Sequence, residues 1–323
     1  MKLSDWQIYG VDRTFYDFVV YDKDGHYACF DQEGVFQYFQ ALMNPSGRAL
    51  YADRKAAQKL FEKLFENLYP LLQTLNDTTS ETVEKNGNKL IYNHIRDFET
   101  DNLTFIESDI TNLRLPPAKV IRCMNVLIYF KPEIRNRMLM NAGELLDDDG
   151  ILIAGTNGLG IQSRYCVYRK GSEGPFLDEF AFSLDNLGPI VFMTFFTIHE
   201  NDPEATLLAD LARAIRGDRP FWSDFSNRVD NLLESNGVCK RGSNGYLHFP
   251  EVEMPPIDYF NINTLLWRQM AEEGYLDRVV DVLELAGHQA WENSIGDIAI
   301  RPAASALNSC NSAVSTTYSM NID

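Results

Sequence analysis

Polar side chains stand directly after apolar runs at three places in this chain, where buried strands are predicted to end. Asp12, Asp109 and Asn125 each close such a run. In open α/β sheets, ligands bind beyond the carboxyl ends of the strands, so these side chains are expected to face a ligand. A carboxylate such as that of Asp12 accepts hydrogen bonds from both hydroxyls of a ribose. Tyr129 follows shortly after Asn125 and adds a hydroxyl.

The elements around Asn125 read as strand, loop, helix and strand. Residues 120–124 are short and apolar, as expected of a strand that is covered on both faces. A helix is predicted over 132–146, because it begins with proline and glutamate, which favour the first turn. The acidic run 147–150 should then turn the chain into a second apolar strand at 151–155.

The run 119–158 resembles the second half of a class I S-adenosylmethionine-dependent methyltransferase, most closely the CheR-type group that methylates chemotaxis receptors. The signature of that group reads roughly C-R-N-V-L-I-Y-F, followed by a helix, an L-x-P-G-G turn and a strand. Met124 stands where the family has arginine, and Asp149-Gly150 stands in for the Gly-Gly turn. The positions that match the signature are Cys123, Asn125, Val126, Leu127, Ile128, Tyr129 and Phe130.

The resemblance implies S-adenosylmethionine as cofactor and assigns residues to it. Asp12 would bind the ribose, and Asp109 would accept a hydrogen bond from the adenine amino group while Ile110 packs on the ring. Asn125 and Val126, at signature positions, would complete the cofactor-binding set. The implied fold is an α/β Rossmann-like methyltransferase sheet, mostly parallel with a terminal antiparallel hairpin, plus a small mainly helical C-terminal domain.

Tyr129 is the catalytic residue that the resemblance implies, because a tyrosine of this signature lies beside the transferred methyl group. Methyl transfer depends mainly on positioning and desolvation, since the sulfonium already carries a good leaving group. The later G-H-S-E segment of the family is replaced by Gly-Thr-Asn-Gly at 155–158, so its histidine has no counterpart. Because Met124 and Thr156 depart from the pattern, the methyl acceptor does not follow from the resemblance.

The first strand of the family and its Gly-rich turn have no counterpart before Asp12. The resemblance would place both upstream of residue 1, so we expect either a fragment of a longer protein or a degenerate domain. Three glycines follow a strand later in the chain, but they stand in the wrong place to supply this turn: Gly155, Gly158 and Gly160.

The chain is predicted to contain a methyltransferase domain at 1–200, a helical accessory domain at 201–302 and a disordered tail at 303–323. Within the first domain, a hairpin is expected to turn at Asp22–Gly25, an amphipathic helix at 54–74 and a loop at 76–88. The accessory domain is assigned to oligomerisation or substrate selection. The sequence shows no clear internal repeat.

Composition excludes several classes of protein. The formal net charge of −17 disfavours nucleic-acid substrates, because phosphate backbones would be repelled. No apolar run is long enough to cross a membrane, and the N-terminus lacks the apolar core of a signal peptide. The five cysteines are scattered without a CxxC pair, which favours a reducing cytoplasm. The five histidines are dispersed, so a metal site is not expected.

Two functions from different classes are therefore considered. The first is an S-adenosylmethionine-dependent methyltransferase that acts on a small molecule or a protein. The second is a degenerate methyltransferase-like domain that serves as a binding or assembly module without activity.

Overall fold

The computed structural model describes residues 5–42, 45–74, 81–157, 162–172, 174–189, 203–251 and 254–302. The chain divides into two compact units, Met1–Ile110 and Thr111–Asp323. This division differs from the domain boundary near residue 200 that the sequence predicts. The predicted tail at 303–323 and the apolar run at 190–198 lie outside the described residues.

The first unit contains a five-stranded antiparallel sheet and a separate pair of strands. In chain order its elements are β1 (Ile8–Asp12), β2 (Phe18–Tyr21), β3 (Tyr27–Phe30), β4 (Phe36–Gln40), α1 (Pro45–Ala52), α2 (Arg54–Gln73), β5 (Thr82–Lys85), β6 (Asn88–Tyr92) and β7 (Leu103–Glu107). The larger sheet has the order β4-β3-β2-β6-β5, and β1 pairs with β7 in parallel.

Helix α2 covers the five-stranded sheet and supplies much of its core. The predicted amphipathic helix is confirmed, and its first turn is capped by Asp53, whose carboxylate accepts a hydrogen bond from the Ala56 N–H at 3.0 Å. Phe61 and Phe65 of α2 pack against Phe18 and Phe30 of the sheet. Burial of these rings excludes water from one face of the sheet, which is the main source of its stability.

Two hairpin turns of this sheet follow from local sequence. The predicted hairpin at Asp22–Gly25 is confirmed, with Gly25 at a φ of 85°. Only residues 81–88 of the predicted loop at 76–88 lie within the described part of the chain. For these residues the prediction is wrong, because β5 and β6 form a hairpin there. Asn86 and Gly87 have φ of 54° and 76°, as the Asn-Gly turn of a tight hairpin requires.

The second unit is built on a six-stranded sheet with helices and a short extra hairpin. Its elements are β8 (Ala118–Met124), α3 (Pro132–Glu144), β9 (Leu146–Asn157), β10 (Ser163–Gly171), β11 (Gly174–Phe182), α4 (Pro203–Gly217), α5 (Arg219–Ser235), β12 (Lys240–Arg241), β13 (Leu247–His248), α6 (Pro256–Glu272), α7 (Tyr275–Leu285), β14 (Gln289–Glu292) and β15 (Ile298–Arg301). The sheet order is β14-β15-β11-β10-β9-β8.

The Rossmann-like, mostly parallel sheet expected from the sequence is wrong. Within the six-stranded sheet only β8 and β9 are parallel, and the pairs from β9 to β14 are antiparallel. The sheet of the first unit is antiparallel throughout its five strands. Hairpins therefore dominate, because most consecutive strands are joined by short turns rather than by crossover helices.

The strand before Asn125 is also less buried than expected. β8 forms one edge of its sheet, and the Val120 side chain is 40% exposed. The acidic run 147–150 is not a turn but lies inside β9, where the pairing with β8 jumps from Ala118–Leu146 to Val120–Ile151. This irregularity is a bulge, which accommodates the extra acidic residues without ending the strand.

Residues 203–301 contain a repeat that the sequence reading missed. Two modules, at 203–248 and 256–301, each consist of two helices followed by a β-hairpin. The second helix of each module ends in the same cap. Gly237 and Gly287 have φ of 70° and 90°, and each donates to the carbonyl three residues earlier, at 3.0 and 2.9 Å. Both ends are therefore Schellman caps, in which glycine avoids backbone strain.

The two modules differ in what their hairpins join. Strands β12 and β13 form a two-stranded sheet of their own, whereas β15 pairs with β11 and extends the six-stranded sheet. The second module is thus part of the main sheet and not of a detached helical domain. Among the described helices, none is both long and apolar enough to cross a membrane.

Candidate functional site

The carboxyl end of β8 carries a backbone conformation that is rare for a residue other than glycine. Asn125 follows the last residue of β8 and has a φ of 60°. Asparagine tolerates this left-handed region better than most residues, but such positions usually persist only where neighbouring contacts hold them. The parallel neighbour β9 ends at the same edge, at Asn157.

Asn125 and Asn157 form a reciprocal hydrogen-bonded pair across the two strand ends. The Asn125 side-chain amide donates to the Asn157 carbonyl oxygen at 2.9 Å and to its Oδ1 at 3.0 Å. In return, the Asn157 N–H donates to Asn125 Oδ1 at 2.9 Å. The Asn125 N–H also donates to the Gly155 carbonyl at 2.9 Å. These bonds fix the chain direction directly after β8.

Gly155 is required by the close approach of β9 and β10. A Cβ atom at this position would lie 2.3 Å from the Arg164 carbonyl oxygen and 2.5 Å from the Tyr165 Cα. Both contacts are with backbone, so neither strand can yield without moving its neighbour. The glycine that the sequence places at the start of the Gly-Thr-Asn-Gly run therefore has a packing role beside Asn157.

Tyr129 lies next to this strand end on the protein surface. It closes a 3₁₀ turn, Leu127–Tyr129, and its N–H donates to the Val126 carbonyl at 3.3 Å. Leu127 and Ile128 are buried, whereas the Tyr129 residue is 65% exposed. The turn is therefore anchored by its apolar residues and presents the tyrosine ring to solvent, with Val126 partly exposed beside it.

Asp12 and Asp109 belong to the parallel strand pair of the first unit. Asp12 ends β1 as predicted, opposite Glu107 at the end of β7. One Asp12 carboxylate oxygen accepts from the Arg13 N–H at 2.6 Å, and the Glu107 carboxylate pairs with Arg96 at 2.8 Å. Asp109 and Ile110 come after β7 and Ser108, with Asp109 exposed and Ile110 partly buried. Their assignment to an adenosine group stays a prediction.

The predicted site residues fall into two sets. One set comes directly after β8 of the six-stranded sheet, and it consists of Asn125, Val126 and Tyr129. The other set lies at the carboxyl ends of β1 and β7, which form a sheet of their own. It consists of Asp12, Asp109 and Ile110. The expectation that Asp12, Asp109 and Asn125 end strands of one sheet is therefore wrong.

Sequence reasoning did not identify Asn157 as the partner of Asn125. The available signal was its place after a predicted strand in the run Gly-Thr-Asn-Gly, where the resembling family has G-H-S-E. Position alone does not tell which side chain reaches across to the neighbouring strand. Arg96 and Glu107, which pair beside Asp12, were missed for the same reason.

Asp22, Asp24 and His26 bring three potential metal ligands within 4.8 Å of one another. The arrangement is explained by the hairpin turn, because Asp22 Oδ1 accepts from the N–H groups of Asp24 and His26, each at 2.9 Å. His26 Nδ1 accepts from the Leu42 N–H at 3.0 Å, and its Nε2 lies 3.0 Å from the Ser46 hydroxyl. Both ring nitrogens thus have protein partners, so the cluster stabilises a turn.

Comparisons of the chain with protein-family models, curated proteins and solved structures find no match.

Proposed function

We propose that this chain is an S-adenosylmethionine-dependent methyltransferase whose methyl donor binds at the carboxyl edge of β8 and β9. The observation that carries the proposal is the locked Asn125 backbone at the end of a parallel strand pair, with exposed Tyr129 directly after it. Strained backbone held by side-chain contacts is concentrated at ligand sites. The resemblance of 123–130 to the CheR-type signature supports this choice of ligand.

In this proposal each residue has a separate role. The Asn125–Asn157 pair holds the loop after β8 so that its backbone N–H and carbonyl groups are fixed before the ligand arrives, which lowers the entropy cost of binding. Tyr129 orients the acceptor or contacts the sulfonium, since its ring is exposed and its loop is anchored by Leu127 and Ile128. The acceptor class remains a small molecule or a protein side chain.

Calorimetric titration with S-adenosylhomocysteine tests the binding step. The unchanged chain should bind, and Asn125→Gly should weaken binding because it removes all three hydrogen bonds of the pair and releases the loop after β8. A second variant, Tyr129→Phe, removes the tyrosine hydroxyl at this edge. Its matched control is Tyr246→Phe, since Tyr246 is an exposed tyrosine of the separate β12–β13 hairpin. If Asn125→Gly binds as tightly as the unchanged chain, the β8–β9 edge is not the cofactor site.

A second candidate is a binding or assembly module without activity. The observation in its favour is that the parallel pair β8–β9 stands alone in an otherwise antiparallel sheet. Incubation with methyl-labelled S-adenosylmethionine and peptides that carry free glutamate, lysine or serine separates the candidates. Label in any peptide supports the enzyme. Failure of the unchanged chain to bind S-adenosylhomocysteine, together with no label in any peptide, favours the module.

A further inference from the structure

Two carboxyl groups are buried together where the second module joins the main sheet. Asp185 lies in the 3₁₀ turn Leu184–Leu187 directly after β11, and Asp297 directly precedes β15. The residues are 2% and 6% exposed. Their strands pair at this same end, with Phe182 opposite Ile298. Both carboxyl groups therefore belong to the junction that holds the β14–β15 hairpin on β11.

A hydrogen-bonded chain of two serines connects the carboxyl groups. The Ser163 hydroxyl donates to Asp297 Oδ2 at 2.7 Å, and the Ser183 hydroxyl donates to Asp185 Oδ1 at 2.5 Å. The Ser163 backbone N–H donates to the Ser183 hydroxyl at 2.7 Å, so the two serines join both carboxyl groups in one network through the Ser163 backbone. Within the described part of the chain, the nearby arginines of β10 and β15, Arg169 and Arg301, form their ion pairs with Asp178 instead.

The groups that face the pair do not supply positive charge. Asp185 interacts electrostatically with Asp297 and with the phenol of Tyr259 in α6, and Asp297 interacts in this way with Tyr165 of β10. Tyr165 also interacts electrostatically with Glu179 of β11, and burial raises the pKa of Glu179. The cations that act on Glu179 are Arg169 and Arg301. Two buried carboxylates without a counter-ion are costly when both are ionised.

We propose that Asp185 and Asp297 form a proton-operated latch that keeps the β14–β15 hairpin docked on β11 while the pair is protonated and releases it when the pair ionises. In the docked state the carboxyl groups are dry, so neutral forms are favoured. In the released state both groups reach water and ionise at their ordinary pKa. The free energy of docking therefore depends on pH.

The direction of the pH dependence follows from the shifts in pKa. Burial, helped by the charge of Asp297, raises the pKa of Asp185 to about 7, and burial raises the pKa of Asp297 to about 6. The docked state therefore binds protons more tightly than the released state, where the pKa is about 4. Docking is strongest below about pH 4, weakens as pH rises towards 7, and levels off above that.

Hydrogen exchange of the full chain, measured by mass spectrometry at pH 5 and pH 7.5, tests the latch. After correction for intrinsic exchange rates, the amides of β15 should lose protection at least about tenfold between these pH values. The amides of α5 report global unfolding, which also ionises both carboxyl groups, so separate release of the hairpin is shown when β15 is less protected than α5 at pH 7.5. Equal protection of β15 at both pH values in the unchanged chain would overturn the proposal.

Variants assign the effect to the two carboxyl groups. Asp185→Asn and Asp297→Asn keep the shape and remove the titration, so each should reduce the pH dependence and the double variant should abolish it. Glu292→Gln is the matched control, because this carboxylate is exposed on the same hairpin. The proposal fails if the double variant retains the pH dependence of the unchanged chain, or if Glu292→Gln removes it.

Discussion

Asn125 and Asn157 bind each other across the ends of two parallel strands, through three hydrogen bonds between 2.9 and 3.0 Å. Asn125 has a left-handed backbone, and Asn157 is the last residue of the neighbouring strand. The hydrogen bonds to Asn157 therefore hold Asn125 in a backbone conformation that is unfavourable by itself. This coupling gives the loop after β8 a defined position before any ligand is present.

The contribution of the pair to stability is testable by urea unfolding. Asn157→Ala removes only the bond to Asn157 Oδ1, since the other two bonds use Asn157 backbone atoms, so it should lower the free energy of unfolding by about 0.5–1.5 kcal/mol. Asn125→Gly and Asn125→Ala each lose all three bonds, but glycine adopts positive φ freely, so Asn125→Gly should be the less destabilising of the two. Equal losses for the glycine and alanine variants would show that the backbone at 125 is unstrained.

Tyr129→Phe should leave stability unchanged within about 0.5 kcal/mol, since the hydroxyl belongs to a largely exposed side chain. In the proposed methyltransferase, the same change should lower turnover at saturating S-adenosylmethionine without a matching loss of cofactor affinity. Methyl-label transfer measured beside calorimetric affinity separates the two effects. Tyr246→Phe should change neither quantity, and unaltered turnover in Tyr129→Phe would remove its catalytic role.

Gly155→Ala should be among the most destabilising single changes in the second unit. The added methyl group would meet backbone atoms of Arg164 and Tyr165 at 2.3–2.5 Å, so we expect a loss of about 2–4 kcal/mol or a failure to fold. Gly217→Ala is the matched control, because Gly217 ends helix α4 and has no atom within 4 Å of an added Cβ. Chemical unfolding should show Gly217→Ala to be neutral or slightly stabilising.

Because the second helix of each module ends in the same glycine cap, the same substitution should have the same effect in both modules. Gly237→Ala and Gly287→Ala each force a side chain into positive φ where nothing crowds the added methyl. Each should therefore cost about 1 kcal/mol, by backbone strain alone. Unfolding midpoints of the two variants should be lowered to a similar extent. A cost at only one of the two positions would show that the caps are not equivalent.

Local elements could be predicted from the sequence because their signals are local. The helix at 54–74 and the hairpin at Asp22–Gly25 follow from hydrophobic spacing and turn residues, and both are present. The Asn86-Gly87 turn is an equally local signal, but the polar residues around it favour a loop over a hairpin. Repetition in 203–301 was harder to see, since the modules share few residues apart from their helix ends.

By itself, the sequence determined the strand–loop–helix–strand order around Asn125, with Tyr129 in the loop after the first strand. It did not determine which strands are neighbours. That choice depends on contacts between distant residues, such as Phe182 with Ile298 and Asn125 with Asn157, whose partners no local pattern names. The tertiary structure alone decided that β8 is an edge strand, that one hairpin of the repeat joins the main sheet, and that two carboxyl groups are buried where it does.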